Sequence, residues 1–175
     1  MVKTLKVNFY GWSILGEMLS SVNFLTRIWI DSSVRLNFFM EIDMLSIHTK
    51  FLIVDDIANK QIQIKPILKD MGFLNVDEAN GGQIALQKLL SGDFDFIISN
   101  WYMSAMDGLT VLRKIRAVEK LKKVPVLMVA AEVKKKDILD AVQAGADGIL
   151  TRPFTATVLS EKLGLIARNQ KNQVS

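Results

Sequence analysis

From residue 48 onward, short apolar runs alternate with stretches whose apolar residues recur every three or four positions, and this alternation is what most limits the fold. Strands that read as near-continuous apolar runs must be covered on both faces, and the helices between them supply the cover. Strands are predicted near Lys50–Val54, Asn75–Ala79, Phe94–Ser99, Pro125–Ala130 and Gly148–Thr151. Helices are predicted over Ala58–Met71, Gly82–Leu90, Leu109–Val118, Lys134–Ala144 and Thr155–Ala167. The breaks at Gly72, Gly81-Gly82, Gly92 and Gly145 fall where connections are needed. The order β, α, β, α predicts an α/β protein with a doubly wound, five-stranded parallel sheet. Ile84, Ala85, Leu89 and Leu90, and later Ile138, Leu139 and Val142, are spaced to pack on that sheet. Pro66 falls inside the first helix, where it deletes a backbone bond at a cost of about 3 kcal/mol, so a kink is expected near Ile62.

Residues 1–47 read differently: apolar residues are scattered among polar ones, with no stripe that continues into the next segment. This N-terminal extension is interrupted by Glu17 and Arg27, so it holds no run of about 20 apolar residues and membrane insertion is not expected. Glu17 also occupies the place where a signal peptide needs a clean apolar core. The reading adopted is that translation begins at Met40 or Met44, and that 48–172 form the folded domain. The chain has no cysteine, which excludes a disulfide framework or a thiolate metal site and suits a cytoplasmic setting. The extension carries equal numbers of acidic and basic residues, so the net charge of +4 arises after it. The basic triplets, Lys120 with Lys122 and Lys123, then Lys134 to Lys136, lack interleaved aromatics. Nucleic acid is therefore not an expected partner, and an acidic protein surface is the better match.

In an open parallel sheet, ligands gather beyond the carboxyl ends of the strands where the strand order reverses. That rule brings together Asp55 with Asp56 after the first strand, Asn100 after the third, Ala130 after the fourth and Arg152 after the fifth. Two or three oxygen ligands with water and a phosphate suit Mg²⁺, a hard cation needing few protein ligands. Asn100 is the anomaly: an apolar strand delivers an amide to a place where phosphoryl-transfer chemistry wants a carboxylate. The bland alternative for Asp55 and Asp56 is that they cap the next helix, worth roughly 0.5–2 kcal/mol.

The segments Phe51-Leu52-Ile53-Val54-Asp55-Asp56, Ile98-Ser99-Asn100-Trp101, Met106-Asp107-Gly108-Leu109, Pro125-Val126-Leu127-Met128-Val129, Ala141 to Gly145 and Pro153-Phe154-Thr155 occur in this order. Together they resemble the receiver domain of two-component response regulators, with its CheY-like (flavodoxin-like) fold, and most of all the single-domain chemotaxis members. The resemblance runs from about His48 to Asn169 and leaves the extension unexplained.

The resemblance implies a phosphorelay module in which a histidine kinase transfers a phosphoryl group to an Asp ending the third strand. Here that position is Asn100. An amide oxygen is neutral and weakly nucleophilic, and cannot give an ordinary acyl phosphate. Other positions depart as well: Ala130 stands for a Ser or Thr, Arg152 for a Lys, Ile149 for a switching aromatic, and Ser104 for a loop Pro. The arginine keeps the charge but turns a compact ammonium into a planar fork. Pro153 falls where receivers place a cis bond that turns the preceding cation into the pocket.

The resemblance also implies a weak Mg²⁺ site from Asp56 directly, Asp55 through water, the Asn100 side-chain oxygen and the Tyr102 backbone carbonyl. Loss of one carboxylate weakens such a site and relieves repulsion among clustered acids. The expected function is that of a non-enzymatic pseudo-receiver. It acts independently of phosphate through a face on the fourth helix, fifth strand and fifth helix: Val133, Ile149 and Lys162. The partner classes are a histidine kinase, a flagellar switch component or another receiver. The alternatives are a competent phosphotransfer protein using another acceptor, Ser99 or Ser104, or an inactive mutant of an ordinary receiver. Neither serine has a general base recognisable in the sequence. Ser104 reads as a solvated loop residue, Asp107 as a residue fixing its loop, and His48 lies before the first strand, away from the strand ends.

Overall fold

The computed structural model describes residues 45–56 and 58–174, with side chains for 45–56 and 64–172. The expectations for residues 1–44, including the start of translation and the nature of the extension, lie outside the described residues. The elements alternate as the apolar pattern requires: β1 (Phe51–Asp55), α1 (Ala58–Asp70), β2 (Val76–Asn80), α2 (Gly82–Ser91), β3 (Phe96–Asn100), α3 (Gly108–Ala117), β4 (Val126–Ala130), α4 (Lys135–Ala144), β5 (Gly148–Thr151) and α5 (Ala156–Val174). The sheet order is β2-β1-β3-β4-β5, and every pairing is parallel. The chain leaves β1 toward one edge to make β2, then crosses back to build β3, β4 and β5 on the other side. The crevice at that reversal lies between the carboxyl ends of β1 and β3.

Strand alternation feeds two cores, one on each face of the sheet. Phe51 and Ile53 of β1 join Phe96 and Ile98 of β3 on the side covered by α1 and α5. Leu52 and Val54 join Ile97 on the side covered by α2, α3 and α4. The Phe51 ring packs against Phe73 and Phe96 with centroids 4.9 and 5.4 Å away. All five residues of β1, β3 and β4 are buried, which explains why these segments read as unbroken apolar runs. β2 lies at the edge, exposes part of each side and carries Asp77 and Glu78, held by Lys88 and Lys65 from the flanking helices. Charge on an edge strand opposes pairing with a second chain.

Three expectations need correction. Ile138, Leu139 and Val142 do not pack on the sheet: they are 45, 61 and 63 % exposed, and α4 turns Ala141 inward instead. A small residue lets a helix approach the sheet closely, so the wider apolar stripe is left outside. Ile84 and Leu90 of α2 are likewise exposed, while Ala85 and Leu89 are buried. The last helix runs past the predicted end at Ala167 because its polar continuation is anchored, with Gln170 Nε2 donating to Asp147 Oδ1 at 2.8 Å. Helix α1 continues through Pro66 to Asp70, while the side chain of Ile62, where the kink is expected, lies outside the described residues.

Candidate functional site

Asp55 is the last residue of β1 and Asn100 the last of β3, so neighbouring parallel strands deliver both to the same end of the sheet. Asp55 is 1 % and Asn100 5 % exposed. A buried carboxylate must be paired and hydrogen-bonded to be tolerated. Asn100 Nδ2 donates to Asp55 Oδ1 at 3.0 Å and to the Tyr102 carbonyl at 2.8 Å. Both of those atoms can only accept, so the amide must turn its nitrogen, not its oxygen, toward them. The sequence expectation had the Asn100 oxygen in that position.

The second Asp55 oxygen faces Arg152, whose Nη2 lies 3.4 Å away. Arg152 is delivered by the end of β5, its backbone N–H donates to the Ala130 carbonyl at 2.8 Å, and the Arg152–Pro153 bond is cis. Burial pulls the Arg152 guanidinium below its ordinary pKa and the neighbouring Asp55 opposes that shift. Ala130, fully buried at the end of β4, presents a methyl where a hydroxyl could have donated. The four sequence positions therefore do converge, with Asp55, Asn100 and Arg152 in direct contact.

Asp56, the residue after β1, is half-buried and is met by the β3–α3 loop. The Ser104 N–H donates to Asp56 Oδ2 at 2.5 Å, and the Ser104 hydroxyl donates to the same oxygen. Ser104 is exposed, as the sequence reading had it, but that reading missed the contact with Asp56. The available signal was the departure from proline, since any other residue brings an N–H to the loop. Asp56 also places a carboxylate at the Ser104 hydroxyl, where none was recognisable from sequence. Ser99 is 1 % exposed and its hydroxyl donates to the Asn100 carbonyl at 3.2 Å, so it does not open onto the crevice.

The loop is fixed at its far end. Asp107 caps α3, its Oδ1 accepting the Thr110 N–H at 2.6 Å, as the sequence suggested. The Gly108 N–H donates to the Trp101 carbonyl at 2.8 Å, and a Cβ on Gly108 would stand 2.1 Å from the Asn100 carbonyl oxygen. His48 precedes β1 at the opposite end of the strand from the crevice, in agreement with the expectation. Val133 and Ile149 are half-buried at the edge of the α2–α3–α4 core, and Lys162 is half-buried on α5.

Residues 51–164 match the family model for the response regulator receiver domain. The chain belongs to that family. This receiver is 46 % identical over 123 residues to the chemotaxis protein CheY-3 of Vibrio cholerae, covering 70 % of this chain and 95 % of that protein. It is 50 % identical over 114 residues to the chemotaxis protein CheY of Pseudomonas aeruginosa, covering 65 % and 92 %. The fold matches the receiver domain of a sensor histidine kinase from Pseudomonas aeruginosa PAO1 with a TM-score of 0.63 at 26 % identity, covering 69 % of this chain and 98 % of that one. That domain was solved with a magnesium ion coordinated in its active-site cleft. The protein is thus a CheY-like receiver of the two-component signalling class, on the CheY-like fold that the family resemblance implied.

In this receiver the oxygens at the crevice are hard donors of the kind Mg²⁺ takes. Two of them, Asp55 Oδ1 and the Tyr102 carbonyl, already hold the hydrogens of Asn100. As arranged, the donor set does not fit the ion: the amide has to turn over or leave before a cation can enter. Among the described residues no group of three or more His, Cys, Asp or Glu is placed to hold a metal, and no helix is long and apolar enough to cross a membrane.

Proposed function

We propose that this receiver is a phosphorylation-independent pseudo-receiver that signals by binding a protein partner. The observation that carries the reading is Asn100 at the acceptor position, buried and turned nitrogen-first onto Asp55. An amide supplies neither the anionic nucleophile nor the leaving chemistry of an acyl phosphate. Ala130, Ile149 and Arg152 support it, because each has left the pattern that senses and reports a phosphoryl group. Asp55, Asp56, Asn100 and the Tyr102 carbonyl stand where a receiver gathers its cation, and the inward amide opposes strong Mg²⁺ binding there.

The domain acts from residues 48–172 in the cytoplasm, without enzymatic turnover of its own. Its output face comprises Val133, Ile149 and Lys162 on α4's approach, β5 and α5. The exposed stripe of Ile138, Leu139 and Val142 extends that face with apolar surface. A histidine kinase, a flagellar switch component or another receiver are the partner classes it suits, and nucleic acid and membrane insertion are not among them.

The Ser104 hydroxyl on Asp56 favours a second reading, in which a serine accepts the phosphoryl group with the carboxylate as base. Incubating the full chain with a small-molecule phosphodonor and Mg²⁺, then measuring intact mass, separates the two. The expected result is no stoichiometric gain, against one phosphoryl group gained by an Asn100→Asp variant. A stoichiometric gain on wild type that maps to the Ser104 peptide would overturn the binding-only reading.

A further inference from the structure

Three of the four carboxylate oxygens at the crevice face donors of the protein itself. Asp55 Oδ1 receives Asn100 Nδ2 at 3.0 Å, Asp55 Oδ2 faces Arg152 Nη2 at 3.4 Å, and Asp56 Oδ2 receives both the N–H and the hydroxyl of Ser104. The same Asn100 nitrogen reaches on to the Tyr102 carbonyl at 2.8 Å, tying β3 to its own loop. Donors from β3, β5 and the β3–α3 loop therefore converge on two carboxylates at the end of β1, as a cation bridging them would.

We propose that Asn100, Ser104 and Arg152 are internal ligands that replace a divalent cation, holding the acid pair and the β3–α3 loop in one arrangement whether or not Mg²⁺ is present. Two features of this chain make the replacement possible. Position 100 carries an amide, whose two hydrogens bridge two acceptors that a carboxylate there would repel. Position 104 carries a serine, whose backbone N–H a proline would lack.

Metal entry is opposed by geometry as well as charge. For Mg²⁺ to reach Asp55 and the Tyr102 carbonyl together, the Asn100 amide must rotate and surrender both bonds. Turned oxygen-first without a metal, it would face two acceptors with a third. The nitrogen-first state is therefore the resting state, and cation binding has to break it.

This inference rests on the pseudo-receiver reading only in sharing Asn100 as its starting point, and it fails separately. Phosphorylation is read by mass, whereas the clamp is read by metal response. The test is a Mg²⁺ titration of the full chain, matched for ionic strength with NaCl, following Tm and the hydrogen exchange of the Ser104 amide. Wild type is expected to show no saturable change in either quantity. Asn100→Asp, which removes the amide hydrogens and adds a carboxylate, is expected to show a saturable rise in Tm and Mg²⁺-dependent slowing of Ser104 exchange. Should that variant fail to fold, Asn100→Ala, which removes the donors without adding charge, takes its place with the same expected response. A saturable rise in wild type, or no response in the variant, overturns the proposal.

Discussion

Gly108→Ala is expected to lower stability by about 3 kcal/mol, near the upper end of ordinary overpacking costs, and to disturb the crevice together with the core. The added methyl would lie 2.1 Å from the Asn100 carbonyl oxygen and 3.0 Å from Met128 Cε. The methionine tip can move aside. The carbonyl cannot, because it belongs to the last residue of β3, in register with Val129 of β4. Relief must come from shifting α3 away from the strand, which breaks the 2.8 Å bond from the Gly108 N–H to the Trp101 carbonyl. The loop carrying Ser104 then loses its far anchor. Denaturant unfolding with an unchanged slope and a lower midpoint measures the cost. A change of less than about 0.5 kcal/mol, the scale of an ordinary surface substitution, would show that α3 does not need to approach this closely.

Arg116→Ala has an effect of similar size at the opposite end of the sheet. Arg116 donates Nε to the Gly145 carbonyl at 2.9 Å, Nη1 to the Val124 carbonyl at 2.8 Å and Nη2 to Asp147 Oδ2 at 2.7 Å. Asp147 also accepts the Val126 N–H, so one fork joins α3, the entry to β4 and the turn after α4. Burial lowers the Arg116 pKa, and the charge and hydrogen bond of Asp147 act against that shift. Truncation takes the donor from two carbonyls and the cation from a mostly buried carboxylate, which keeps only the Val126 N–H and Gln170, with an expected loss of about 3 kcal/mol. Arg116→Lys is expected to recover less than half of it, since one ammonium cannot span three acceptors arranged for a planar fork. Full recovery by lysine would mean that charge alone, without the fork, holds this end of the fold.

Much of the architecture was legible because it depends on periodicity. Unbroken apolar runs such as Phe51–Val54 mark strands buried on both faces, and the residue at each strand's end is then set by topology. That is why the sequence alone brings Asp55, Asn100 and Arg152 together. Periodicity gives a helix its stripe but does not say which way the stripe points. On α4 the small Ala141 faces the sheet while Ile138, Leu139 and Val142 face outward. Small residues leave a weak signal because their contribution is to let the backbone come near. The Ser104–Asp56 contact joins residues 48 positions apart through a loop, and no repeat in the sequence encodes that. The direction of the Asn100 amide was equally hidden, since it follows from having two acceptors as neighbours rather than from the strand that carries it.

As proposed above, the face of Val133, Ile149 and Lys162 does not respond to phosphoryl chemistry. Backbone amide NMR spectra of the full chain, recorded with and without a phosphodonor and Mg²⁺, test it most directly. Unchanged resonances for Val133, Ile149 and Lys162 are expected under both conditions. Saturable shifts of these three, reversed when the phosphodonor is removed, would contradict it.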